Sequence, residues 1–383
     1  MEIPFHRAYT ADEEIEGVRT AIESGWLTMG PKTFEFEEKF KTAVDVPYAV
    51  AVNSCTAALH LALKAIGLKK NDEVIIPAMT FTTSGEVVRY FDARPVIVDV
   101  DRDTHNILPA EIEKNITKKT KVIMPVHFGG QPADMDEILQ IAGQHNLKVI
   151  EDAAHCFPSF YKERPVGSLG DITAFSFYAT KTIACGEGGM ATTANEEYSE
   201  NIRSQRLHGI SRDAWKRYTK EGSWFYEVID AGYKYNMTDI QAALGLAQLD
   251  KAEKMWQLRR TVAERYNQGF KDLPAVETPV IRPDRQTSWH LYVIKLVIGK
   301  LAVNRNQFID RLSERGIKAS VHFIPLYRHP YYQKVCPVSL DKVANSEWLY
   351  ERIISLPIYP GMTDEQVTYV IETIRDLLRK YEK

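Results

Sequence analysis

The chain has 383 residues, 44% hydrophobic and 26% charged, with a formal net charge of −3. That length can bury one large core and a second, smaller one, while no basic block offers a footprint for a nucleic-acid backbone. No window approaches the ~18 consecutive apolar residues of a membrane span, and the first residues lack a signal-peptide pattern, so a cytoplasmic protein with neither membrane nor nucleic-acid partners is expected.

Acidic residues open an amphipathic pattern at Asp12 that stops at Ser24-Gly25, a helix over Asp12 to Glu23. "WLTMGPKT" reads as loop and Lys32 to Val44 as a second helix. "YAVAVNS" is then a strand, and "TAALHLALKAIG" a helix ended by Gly67. The order repeats: strands at "EVIIPAM", "RPVIVDVD", "KVIMPVHFGG" and "KVIEDAAH" alternate with helices at "TSGEVVRYFD", "LPAEIEKNI" and "MDEILQIAGQHN". "ITAFSFYA" and "GMATTA" complete the strands. Near-continuous apolar runs alternating with helices predict an α/β fold with a mostly parallel sheet covered on both faces.

From Asn195 the pattern changes. The aromatic stretch "HGISRDAWKRYTKEGSWFYEVIDAGYKYN" has no clear period, which suggests a functional loop over a site or a subunit contact. The long helix "TDIQAALGLAQLDKAEKMWQLRRTVAERYNQGF" is expected to bend or break near Lys251, where a large domain, 1–250, meets a smaller C-terminal α/β domain, 251–383. In the latter, "HLYVIKLVI" and "ASVHFIP" read as strands and "NSEWLYERIIS" as a helix; the N-terminal segment is free to pack on this smaller unit.

Ligands of parallel sheets bind beyond the carboxyl ends of the strands, which singles out Ser54, Phe81, His127, Asp152 and Lys181. Side chains alternate along a strand, so only one of Glu151 and Asp152 can face such a crevice. A lysine after the buried run "AFSFYATK" is costly unless paired, solvated or converted to a Schiff base. Pyridoxal phosphate asks for a lysine, a carboxylate at its ring nitrogen, an aromatic face and a phosphate cup. Lys181, Asp152, Phe81 and the helix start at Ser54, Cys55 and Thr56 can supply these, with Ser176 adding a hydroxyl to the cup. Singly each has a structural reading: Asp152 as a cap or ion pair, Phe81 as core, Ser176 satisfying backbone, and "GEGG" as a turn with Glu187 in solvent. The four cysteines, Cys55, Cys156, Cys185 and Cys336, have no metal-ligand spacing; they read as free thiols, and no metal is expected.

"EDAAH", "GDITAFSFYATKTIACGEGGM", "SGWLTMGP", "NSCTAALHLAL" and "GYKYNMTDIQAALGLAQL" resemble the DegT/StrS family of pyridoxal-phosphate-dependent nucleotide-sugar aminotransferases over nearly the whole chain. The resemblance implies a fold-type-I, aspartate aminotransferase-like architecture. It implies Lys181 as the Schiff-base lysine and proton shuttle, and Asp152 as the acid at the ring nitrogen. Ser54, Cys55, Thr56 and Ser176 match the phosphate cup, and Phe81 the stacking ring. Asn236 matches a residue that reaches the cofactor of a neighbouring subunit, which implies a homodimer with shared sites. His155, where many relatives have glutamine beside the cofactor's phenolic oxygen, resembles the branch that aminates C4 of a UDP-linked 4-keto-6-deoxy sugar. Cys55 departs from a frequent glycine or alanine, but only its amide is needed. Lys181 is not the histidine of sugar-dehydrating relatives. The donor implied is L-glutamate, with the cofactor cycling between pyridoxal and pyridoxamine phosphate.

Tyr178, His208, Trp289 and His322 are candidate substrate contacts, and His290 beside Trp289 belongs with them, though core or turn histidines are equal readings. His127 reads as structural; Arg203 and Arg206 suit a diphosphate contact or a solvated helix face equally. Two alternatives to transamination stand: a cofactor-dependent dehydratase or eliminase, and a non-catalytic nucleotide-sugar sensor.

Overall fold

The computed structural model describes residues 1–211 and 225–383. In chain order the first strands are β1 (Tyr48–Val52), β2 (Glu73–Pro77), β3 (Arg94–Val98), β4 (Thr120–Ile123), β5 (Lys148–Asp152), β6 (Phe160–Tyr161), β7 (Arg164–Pro165), β8 (Ile172–Ser176) and β9 (Gly189–Thr193). Seven of them form one sheet in the order β1-β9-β8-β5-β4-β2-β3. Every pairing is parallel except the two made by β9. The segment between β8 and β9 contains no helix to cross the sheet, so the chain turns back and β9 runs against its neighbours.

Alternation along the strands gives two cores. Val50, Val52, Ile150 and Ala174 face the helices Cys55–Ala65, Thr83–Arg89 and Glu196–Gln205. Ala49, Ala51, Val149 and Phe175 face the helices Pro31–Ala43 and Met135–His145. Both faces are covered, which is why the strands read as continuous apolar runs.

The long helix is two: Asp239–Asp250 and Ala252–Phe270, separated at Lys251. A further core gathers Val262, Tyr266 and Phe270 with Tyr292, Phe308, Ile354 and Leu377. The remaining strands are β10 (Val276–Glu277), β11 (Arg285–Gln286), β12 (Tyr292–Leu296) and β13 (Ile353–Leu356). β10, β12 and β13 pair antiparallel, while β6, β7 and β11 form a separate ribbon. Ile3 joins this region: its amide donates to Gly316 O at 2.8 Å, and its side chain is buried in the same core.

Two expectations from the sequence are corrected. The helix expected over "NSEWLYERIIS" ends at Tyr350, and the buried, β-branched Ile353 and Ile354 instead pair with β12. "ASVHFIP" makes a single bridge, Ser320 to Ser355, because His322 turns in to hydrogen-bond Ser355 Oγ at 2.8 Å. Among the described residues, no helix is long and apolar enough to cross a membrane.

Candidate active site

The parallel strands end on a cavity of about 470 Å³. Ser54, Cys55, Thr56 and Phe81 reach it from β1 and β2, and Asp152, His155, Ser176, Tyr178 and Lys181 from β5 and β8. His322 lines the same cavity.

Lys181 lies in the turn after β8, its amide bonded to Tyr178 O at 2.8 Å. Burial lowers its ammonium to a pKa of about 8, against the opposing pull of the Asp152 carboxylate. About a tenth of such an amine is free at pH 7, far more than for an ordinary lysine. This is the state a nucleophilic amine needs.

Asp152 is the last residue of β5, and Glu151 points to the other face. Burial raises the Asp152 pKa, while two donors favour the carboxylate: Ser84 Oγ to Oδ2 at 2.9 Å and the Ala154 amide to Oδ1 at 3.1 Å. Ser84 is itself held by Thr80 Oγ1 at 2.7 Å. A protonated ring nitrogen in the cavity would supply the cation that a buried carboxylate otherwise lacks. Glu151 meets His127 Nε2 at 2.9 Å, with both side chains fully buried, so that pair is structural.

The expected phosphate cup is a helix start. Ser54 caps the helix Cys55–Ala65 by accepting from the Ala57 amide at 3.1 Å, leaving the earlier amides of Cys55 and Thr56 at the cavity. Gly189 allows β9 to approach: a Cβ there would lie 2.4 Å from the Ser54 carbonyl carbon. Gly186 has φ +82°, so the glycines of "GEGG" serve both a turn and a close approach. Cys55 turns its thiol away to Ala174 O at 3.6 Å, and burial keeps it protonated. Phe81 is 60% exposed and not a core residue. His155 Nδ1 accepts from the Gly129 amide at 3.3 Å, so in the neutral ring Nε2 carries the proton. These residues fit pyridoxal phosphate in kind: amide donors for its phosphate, an aromatic face, a carboxylate for its nitrogen and a nucleophilic amine.

The opposite wall comes from distant segments: Phe5 and His6, His290, His322 and Phe323, and Ile358. Phe323 lies 5.7 Å from the His155 ring, and Phe5 stacks on His322 at 5.5 Å. Burial pulls His6 and His322 down to about 4 and His155 and His290 well below their usual value, with Lys181 reinforcing each shift. Four neutral imidazoles therefore surround one amine.

Other candidates are not brought together here. Trp289 turns into the C-terminal core against Tyr292, 6.1 Å away, and its neighbour His290 faces the cavity in its place. His208 bonds Tyr233 O through its amide and lies away from the cavity. Asn236 is buried beside the end of β1, bridged to Val52, without lining this chain's cavity. Neither Arg203 nor Arg206 lines the cavity: Arg206 is buried and Arg203 partly exposed, both pair with the buried Glu37, and they also bond Ala49 O and Ala51 O. Of the aromatic stretch, residues 212–224 lie outside the described residues. Sequence reasoning missed Phe5, His6, Ser84 and Phe323. Ser84 sits in "TTSG", which reads as a helix start, and the others carry no local motif.

The model of the DegT/DnrJ/EryC1/StrS aminotransferase family matches residues 8–375. The spore coat polysaccharide biosynthesis protein SpsC of Bacillus subtilis is 48% identical over 378 residues, 98% of this chain and 97% of that protein. Among solved structures, Spr1654 of Streptococcus pneumoniae, assigned as a sugar aminotransferase and crystallised in its PLP form, is 34% identical with a TM-score of 0.93, covering 99% of each chain. PseC of Helicobacter pylori, an aminotransferase involved in the biosynthesis of pseudoaminic acid, is 27% identical with a TM-score of 0.92 over 100% of each chain.

Proposed function

The chain belongs to the DegT/DnrJ/EryC1/StrS family of pyridoxal-phosphate-dependent sugar aminotransferases, and from that premise we propose that it moves an amino group from L-glutamate to C4 of a UDP-linked 4-keto-6-deoxy sugar, in the cytoplasm and as a homodimer. The observation that carries this reading is Lys181, a buried amine lowered to about 8, lining the same cavity as the buried carboxylate of Asp152. His155 supports the C4 branch. The apolar groups of Phe5, Phe323 and Ile358 on one wall suit the methyl of a 6-deoxy sugar. A homodimer is supported by Asn236 at the end of β1, and by exposed Ile15, Ile22, Leu27, Val228 and Ile229.

The bound cofactor supplies an electron sink and a carrier for the amino group. The amides of Cys55 and Thr56 with the hydroxyls of Ser54 and Ser176 would hold its phosphate, and Phe81 would cover its ring. Asp152 would hold a proton on the ring nitrogen, and the Nε2–H of His155 would be the donor for the ring oxygen. Lys181 Nζ takes the proton from the donor's α-carbon and later delivers one to C4 of the sugar. The face from which Nζ delivers it sets the amine axial or equatorial. One base near both carbons gives general acid–base help worth about 10²–10⁴-fold.

The test is an absorbance spectrum of the holoenzyme before and after L-glutamate, followed by a panel of UDP- and dTDP-linked ketosugars. Loss of the visible band on adding glutamate, and its return with a UDP-4-keto-6-deoxy sugar, is the expected result. A band indifferent to glutamate removes that donor, and a return only with other ketosugars removes the proposed acceptor.

A further inference from the structure

Arg259, on the helix Ala252–Phe270, is fully buried, and among the described residues no carboxylate pairs with it. Its Nη1 donates to the carbonyls of Ile358 at 2.9 Å, Trp289 at 3.3 Å and His290 at 3.5 Å, while Nε and Nη2 have no partner. Two of those carbonyls belong to cavity-lining residues, His290 and Ile358. On the cavity side stand the rings of His6 and His290, each with a buried nitrogen lacking a partner, Nε2 in the first and Nδ1 in the second. One short stretch of wall thus concentrates four unsatisfied nitrogens and an uncompensated guanidinium.

A buried cation without a counter-charge is costly, and a merely structural brace is served as well by a neutral donor. Arg259 Nη1 is hydrogen-bonded to the backbone of the cavity-lining His290 and Ile358, so the guanidinium lies directly behind this wall, and Lys181 lines the same cavity. In an α-amino acid the carboxylate is bonded to the carbon whose proton Lys181 removes, so its anion must sit beside Lys181. A nucleotide sugar carries its diphosphate on C1, across the ring from C4, and places that charge elsewhere.

We infer that the wall at His6 and His290 seats the carboxylate of the amino donor, with Arg259 as a positioning residue that supplies the counter-charge from behind. The inference rests on the reading of an α-amino acid donor and adds where its anion is held. Arg259 does not touch the substrate. It aligns the wall through three carbonyls and sets a positive potential that a carboxylate neutralises.

The experiment uses holoenzyme in three forms: wild type, Arg259→Met and Arg259→Lys. Calorimetry gives the dissociation constant of succinate, a dicarboxylate that cannot react, and spectral titration gives half-saturation by L-glutamate. KM is measured separately for the nucleotide ketosugar that the wild type accepts. Arg259→Met is expected to weaken succinate and glutamate tenfold or more and to change the ketosugar KM less than twofold, and Arg259→Lys to restore most of the loss. Unchanged succinate binding in Arg259→Met, an equal rise in the ketosugar KM, or no recovery in Arg259→Lys overturns the assignment. If Arg259→Met does not fold, His6→Leu on the N-terminal segment decides: threefold or more weaker succinate supports the inference, and wild-type binding overturns it. A wild-type enzyme that no amino acid converts defeats the donor reading itself, an outcome distinct from any variant result.

Discussion

One wall of the cavity, running from Ser54 to Lys181, carries an amine, a carboxylate, hydroxyls and free amides; the other, from Phe5 and His6 to Ile358, carries neutral rings and aliphatic carbon. The first is built from the ends of neighbouring strands, where sheet register fixes distances. The second is gathered from segments hundreds of residues apart. Reactive groups need fixed geometry, and the rigid sheet edge supplies it; selection among sugars needs shape, which loops vary without disturbing the sheet.

The sharpest break between the walls is Lys181→Ala, which should lower turnover by about 10⁴-fold or more and abolish the visible band of the Schiff base. Near-normal turnover would end the proposed division of labour. Asp152→Asn should keep some cofactor but cost about 10²–10³-fold in kcat, read by steady-state kinetics, because a neutral partner no longer holds the ring proton. Ser84→Ala removes one donor to that carboxylate, a bond worth ~1.5–3 kcal/mol, and should cost about ten- to a hundredfold in kcat. On the other wall, Phe323→Ala should raise the ketosugar KM about tenfold while kcat moves little, since uniform binding is lost. A fall in kcat alone would show that the two walls are not separable.

Acid–base behaviour sharpens the contrast further. Lys181 is shifted down from its usual 10.5 to about 8, so the free amine fraction rises as pH rises through 8. The rate at which apoprotein takes up pyridoxal phosphate should therefore climb between about pH 7 and 9 and then level off. Continued climbing to pH 10.5 would mean that burial does not tune the amine. The histidines opposite contribute nothing over this range, because His6 and His322 titrate near 4.

The first wall was legible in the sequence because its residues stand at strand ends, helix starts or the turns just beyond: Ser54 caps a helix, Asp152 ends β5 and Lys181 follows β8. The sheet followed from apolar runs alternating with helical periods, and the break at Lys251 from excessive helix length. Phe5, His6 and Phe323 had no such signal: they reach the cavity only because Ile3 is tied to Gly316 and Lys318, and His322 to Ser355. Trp289 misled because its neighbour faces the cavity instead. The strand Ile353–Leu356 was hidden behind a helix-like run, since its partner strand β12 lies some sixty residues earlier.

Glu37, Arg203 and Arg206 bear on how this family can diverge. Three charged side chains from two helices meet under β1, two of them almost wholly buried, and none lines the cavity. Removing Glu37 alone leaves two guanidinium groups without their anion, and removing Arg206 alone leaves a buried carboxylate half paired; losses of this kind cost ~3–5 kcal/mol. A saturation library would score all three positions as intolerant, as though they bound ligand, whereas simultaneous replacement by apolar residues of matched volume should survive. Sequence drift at these sites is therefore expected as a block, so covariation there reports the electrostatics of a buried cluster and not the identity of the sugar.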